Sequence, residues 1–132
     1  MQRKVVDFSG IQALEIARAF AEVAKKKNYI FYACSILPRH IHAVIGRHER
    51  AVEDIVAHLK YAASRRLVHQ RLHPFQDDLN WKSQVPTMWT KRCWKVFLET
   101  PEDVRRAVKY VENNPIKDRK RRQGWSFVET FE

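Results

Sequence analysis

Between Tyr29 and Gly46 two β-prone runs meet at a Pro38-Arg39 turn, and this pair limits the folds open to the chain more than any other stretch. The first run, Tyr29 to Leu37, is rich in aromatic and β-branched residues, and the second, about residues 40–46, reads His40-Ile41-His42-Ala43-Val44-Ile45-Gly46. Together they predict a β-hairpin. Strand side chains alternate between faces, so His40 and His42 fall on one face while Ile41 and Ala43 point the other way into packing. Two imidazoles on one strand face suit a shared metal ion, but they need a third ligand from elsewhere and supply no nucleophile. By itself the pattern is better read as a half-exposed strand that happens to carry two histidines.

The flanking segments are helical by period. Ser9 followed by Gln12 has the form of a capping box, and Ile11, Leu14, Ala17, Ala21 and Ala24 recur behind it, predicting a helix over about 10–27. Val52, Ile55, Val56, Leu59, Ala63 and Leu67 predict a second helix whose outer face carries Lys60, Arg65 and Arg66. Residues 70–90 lose periodicity and read as a long surface loop plugged by Trp81 and Trp89, followed by a short strand from Lys95 to Glu99. Thr100-Pro101-Glu102-Asp103 opens a third helix with a cap residue, a first-turn proline and acids, and Pro115 is expected to end it. Its apolar stripe of Val104, Ala107, Val108 and Val111 leaves Tyr110 on the flank, with Asn114 one turn further along the same side. The element order predicts a single α+β domain over residues 1–132, a ferredoxin-like antiparallel sheet with helices packed on it.

Charge narrows the partner. Lysine and arginine number 25 against 15 acidic residues, a formal +10 with a pI near 10.0, which favours a polyanion and nucleic acid first. Five of the six residues from Lys117 to Arg122 are basic, predicting a phosphate-gripping C-terminal arm at about 117–128. No apolar run reaches the roughly 18–20 residues of a membrane span, and Met1-Gln2-Arg3-Lys4 leads into no signal-peptide region, so a cytoplasmic protein is expected. Cys34 and Cys93 lack CxxC spacing and are expected to be reduced and packed. His48, His58, His69 and His73 follow no zinc-finger spacing and are expected on the surface or against phosphate.

Taken together, Ala33-Cys34-Ser35-Ile36-Leu37-Pro38-Arg39-His40-Ile41-His42, Leu59-Lys60, Trp94-Lys95-Val96-Phe97 and Tyr110-Val111-Glu112-Asn113-Asn114-Pro115 resemble the HUH-type single-tyrosine transposases, in particular the REP-associated tyrosine transposases. The resemblance covers nearly the whole chain from about Val5. It implies a metal-dependent endonuclease and strand transferase acting on single-stranded or hairpin DNA, without a membrane, as a monomer or homodimer. His40, His42 and Asn114 would then ligate Mg2+ or Mn2+, and Tyr110 would be the nucleophile that forms a 5′-phosphotyrosine. Arg39, Lys60, Arg65, Arg66, Lys117, Arg119, Lys120, Arg121 and Arg122 are the expected DNA contacts. Members of the family have a strand before the first helix, central in the sheet beside the histidine strand, whereas only Arg3 to Phe8 precede Ser9 here. The first strand is therefore expected to be missing or shortened to Val5 and Val6, leaving the histidine strand with an edge to be covered. The competing reading is a catalytically inactive or domesticated nucleic-acid-binding domain of the same fold.

Overall fold

A computed structural model describes residues 7–77, 87–89, 94–97, 101–117 and 123–130, with 94–97, 101 and 114–117 described by their backbone. Helix α1 (Gly10–Lys27) starts on the expected capping box: Ser9 Oγ accepts from the Gln12 N–H at 3.2 Å, and Gln12 Oε1 accepts from the Ser9 N–H at 2.8 Å. It ends at Asn28, whose left-handed φ of 60° turns its N–H back to the Ala24 carbonyl. The buried stripe differs from the expected one. Ile16, Ala17, Phe20 and Ala24 face inward, while Ile11 and Leu14 are 65% and 41% exposed, because the helix turns its bulkiest pair, Ile16 and Phe20, onto the sheet.

Strands β1 (Phe31–Ile36) and β2 (Ile41–Ile45) form the expected antiparallel hairpin, with Ser35 opposite His42, Ala33 opposite Val44 and a bulge between Phe31 and Ala33. Helix α2 (Val52–His69) then leads to β3 (Trp94–Phe97), which pairs parallel to β2, and helix α3 (Pro101–Lys117) follows. The architecture is α+β as expected. The antiparallel expectation holds for the hairpin, while β3 runs parallel because a helix returns the chain to the starting end of β2 before β3 begins. The order β1-β2-β3 makes the histidine strand central rather than an edge, and all five of its residues are buried. Val5 and Val6 lie outside the described residues. The Phe8 N–H donates to the Pro38 carbonyl at 2.7 Å, which holds the entry to α1 against the hairpin turn.

The two faces of the sheet are covered differently. Ile41, Ala43 and Ile45 join Phe31, Cys34 and Ile36 in a core with Ile16, Phe20, Ile55, Leu59 and Leu67 of α1 and α2. Each large side chain buried there contributes roughly 1.5–3 kcal/mol. On the opposite face α3 sets Val104, Ala107 and Val111 against Ala33 and Val44, with Tyr32 and Val108 packed against this smaller core. Arg66 ties α2 to α1 by donating from Nε to Glu15 at 2.7 Å and from a terminal nitrogen to Glu22 at 2.8 Å. Glu15 is 7% exposed; the hydrogen bond from Arg66 holds its carboxyl below the usual range against the opposing effect of burial, and Arg18 adds a second bond.

Contrary to expectation, Pro115 does not end α3, which continues to Lys117. Proline lacks an N–H, so the carbonyl that loses its regular partner is that of Val111, four residues back. The Ser35 hydroxyl donates to that carbonyl at 2.8 Å. Beyond the helix, residues 123–130 run along the outer edge of β1. The Gln123 amide accepts from the Ile36 N–H at 2.7 Å and donates to its carbonyl at 2.8 Å; Val128 bridges Phe31 in parallel, and the Glu129 N–H donates to the Phe31 carbonyl at 2.7 Å. Cys34 is a buried free thiol whose pKa burial pushes up, and Cys93 lies outside the described residues. No described helix is long and apolar enough to cross a membrane.

Candidate active site

Strand alternation delivers the face that the sequence predicts. Ile41 and Ala43 enter the large core, and His42 and Val44 turn toward α3. His40 stands just before β2, its carbonyl fixed by the Leu37 N–H at 2.8 Å, and its side chain is exposed. The two imidazoles are 6.1 Å apart between ring centres and lie edge to face at 82°. His42 is only 6% exposed, so the pair is split between one open and one buried ring.

What buries His42 is α3. Tyr110 stacks on the His42 ring at 5.8 Å between centres and 22° between planes, and it remains 38% exposed. Its place off the apolar stripe is what the helical period predicts, and it leaves the residue open to solvent. Val111, the next residue, is fully buried and carries the carbonyl bonded to Ser35. Asn114 follows one turn later on the same helix; its side chain lies outside the described ones.

Neutral imidazole is a good ligand for first-row divalent ions. Among the described residues no cluster of three or more His, Cys, Asp or Glu side chains could hold a metal. A metal held by His40 and His42 would need a further ligand, and an amide oxygen such as that of Asn114 would be of a suitable kind.

The expected DNA contacts separate spatially. Arg39 lies at the hairpin turn beside His40 and pairs with Asp7 at 2.7 Å on the surface. Lys60 and Arg65 sit on α2, on the other side of the sheet from Tyr110, lining a cavity of about 490 Å³ with Tyr61 and Trp89. Arg65 lies over the Tyr61 ring at 5.6 Å. Arg66 is committed to Glu15 and Glu22, which leaves it no charge to spare for a phosphate. Lys117 closes α3, its side chain outside the described ones, and Arg119, Lys120, Arg121 and Arg122 lie outside the described residues.

Among the other four histidines the surface expectation fails for His73, which is buried, while His48 and His58 are half-buried with protein partners. His58 Nδ1 bonds the Tyr29 hydroxyl at 2.8 Å, and His48 Nε2 bonds the Lys27 carbonyl at 3.0 Å. His73 is buried, which pushes its pKa down, and its Nδ1 accepts from the Phe75 N–H at 3.0 Å. His48 and His73 thus satisfy main-chain groups that regular structure leaves over, and His58 satisfies the Tyr29 hydroxyl. Only His69 is an exposed helical histidine as expected. Sequence reasoning missed Ser35, whose signal was its register opposite His42 together with a proline four residues after Val111.

A family model described as Transposase IS200 like matches residues 2–114, a span that takes in His40, His42, Tyr110 and Asn114 and stops before the basic run. Comparisons with curated proteins and with solved structures gave no match.

Proposed function

The chain belongs to the IS200-like transposase family, and on that premise we propose that it nicks and rejoins single-stranded or hairpin DNA through a covalent intermediate on Tyr110. The family is one of transposases, so DNA is the partner. The observation that carries the finer reading is the stack of an accessible tyrosine on one of two histidines that share a strand face.

In this reading the Tyr110 oxygen attacks the scissile phosphorus. The bond from tyrosine to phosphorus forms as the bond from phosphorus to the 3′ oxygen breaks, the phenol gives up its proton, and the 3′ oxygen leaves as a hydroxyl. The product is a 5′-phosphotyrosine that a 3′ hydroxyl can attack in turn. No nucleotide cofactor is needed, because the covalent link keeps the energy of the broken bond. A divalent ion, Mg2+ or Mn2+, on His40, His42 and Asn114 would supply Lewis-acid polarisation of a non-bridging phosphate oxygen. The parallel stack on His42 holds the plane of the phenol, so its oxygen has little freedom to reorient between turnovers. Arg39 and the basic run from Lys117 to Arg122 would hold the strand, with the cytoplasm as the place of action.

End-labelled hairpin DNA incubated with the protein and Mn2+ should give a labelled protein band that survives denaturation. Tyr110→Phe should bind the same DNA and give no band, and chelation should abolish the band in the wild type. A band that persists in Tyr110→Phe refutes the assignment. Tight binding without any adduct on all hairpins tried favours the inactive nucleic-acid-binding domain.

A further inference from the structure

Helix α3 rests on the sheet through Val104, Ala107 and Val111 against Ala33 and Val44. Packing among these groups, with Tyr32 and Val108 against them, is non-directional and sets the axial position of the helix only loosely. Yet Tyr110 can stack on His42 in only one axial position. Something directional has to select it.

The Ser35 hydroxyl meets that requirement. Ser35 is 1% exposed, lies opposite His42 in the hairpin register, and donates to the Val111 carbonyl at 2.8 Å. In an uninterrupted helix that carbonyl would accept from the amide of residue 115, which here is proline and has no hydrogen to give. Val111 is fully buried, so water does not replace the missing donor. The acceptor freed by Pro115 and the hydroxyl offered by Ser35 match at a single point, one residue after Tyr110 and three before Asn114.

We infer that Ser35 is the positioning residue for Tyr110, acting through the Val111 carbonyl that Pro115 leaves without its helical partner. Its catalytic meaning rests on the reading of Tyr110 as nucleophile, but the placement of the ring does not. Every other carbonyl of α3 up to Asn113 has an amide four residues on within the helix and gives Ser35 no comparable partner. Ser35 and Pro115 therefore act as one device, and losing either half changes what the other is worth.

The test uses the full chain with 13C-labelled histidine and no added metal. The ring current of Tyr110 shifts the His42 resonance, and Tyr110→Leu gives the value without it. Ser35→Ala should move the His42 resonance toward that value, while Ser35→Thr, which keeps the hydroxyl, should leave it near wild type. With Mn2+ and saturating hairpin DNA, Ser35→Ala should slow single-turnover cleavage about a hundredfold, with DNA affinity within about twofold. Pro115→Ala restores an amide for Val111, so in that background the loss of Ser35 should change the resonance and the rate by less than about threefold.

An unmoved His42 resonance in Ser35→Ala overturns the inference, and so does an equal effect of Ser35→Ala in both backgrounds. If Ser35→Ala fails to fold, the double variant with Pro115→Ala should fold, and its failure would also overturn the inference. If the resonance responds as stated but no variant and no wild type cleaves DNA, the reading of Tyr110 as nucleophile falls and the positioning role stands.

Discussion

His40 and His42 share one strand face, yet the structure gives them unequal mechanical duties, and alanine replacement should separate metal binding from stability. His42 is buried and stacked, whereas His40 is exposed. Removing a buried ring costs about 2–4 kcal/mol when the surroundings relax only in part. About 1 kcal/mol of that belongs to the ring stack, so about 3 kcal/mol is the working figure for His42→Ala. His40→Ala removes an exposed ring and should stay within about 0.5 kcal/mol. For a chain of 132 residues, 1 kcal/mol corresponds to about 4 °C in Tm. Without metal, calorimetry should therefore find His42→Ala about 12 °C below wild type and His40→Ala within about 2 °C of it. Mn2+ at a hundred times its Kd stabilises a protein by about 2.7 kcal/mol, a rise of about 10 °C for the wild type that both variants should lose. Two results would refute the reasoning: equal Tm losses in metal-free His40→Ala and His42→Ala, or a full Mn2+-induced rise in His40→Ala.

Two further tests address the rest of the molecule. Glu15→Gln should lower stability at pH 7 by about 1.5–3 kcal/mol through the weakened tie to Arg66. Because the folded-state pKa of Glu15 lies below its ordinary 4.5, the wild-type advantage is present above that value and is lost as pH falls through the lower folded value; urea titrations should show the two proteins converging as pH falls below 4.5. Alanine at Arg119, Lys120, Arg121 and Arg122 should flatten the salt dependence of single-stranded DNA binding by about 0.7 in logarithmic slope for each phosphate that is no longer neutralised, and an unchanged slope in a fluorescence anisotropy titration would remove the run from the binding surface.

The parts of the fold that are legible in the sequence are those governed by local chemistry. The Ser9–Gln12 box, the Asn28 stop and the alternation of residues 40–45 each depend on neighbours a few positions away. Within the candidate site, the helical period alone is enough to place Tyr110 beside the apolar stripe, accessible yet close to the sheet. Periodicity does not say which face of a sheet a helix will cover, so it cannot reveal the separation of Lys60 and Arg65 from Tyr110. Nor does charge identify its partner: Arg66 reads as a surface cation until Glu15 and Glu22, 51 and 44 residues away, are brought to it. Pro115 reads as a stop because the rule for proline counts a lost bond. Here Ser35, 76 residues from Val111 in sequence, makes the bond instead.

The docking of residues 123–130 on β1 bears on how safely the chain is made. Phe31-Tyr32-Ala33-Cys34-Ser35-Ile36 is a six-residue strand with no charge and no proline, the composition that stacks into intermolecular sheets when its edge is open. Synthesis releases this strand long before the segment that covers it. Until residue 123 and its successors emerge, the outer groups of Phe31 and Ile36 are available to any neighbouring chain. Gln123 closes the edge at Ile36 with a side-chain amide that offers the same donor and acceptor as a peptide unit, and Val128 and Glu129 close it at Phe31. The covering segment lies outside residues 2–114, the span shared with the family. Cover for the outer edge of β1 therefore comes from residues 123–130, the last described segment of the chain.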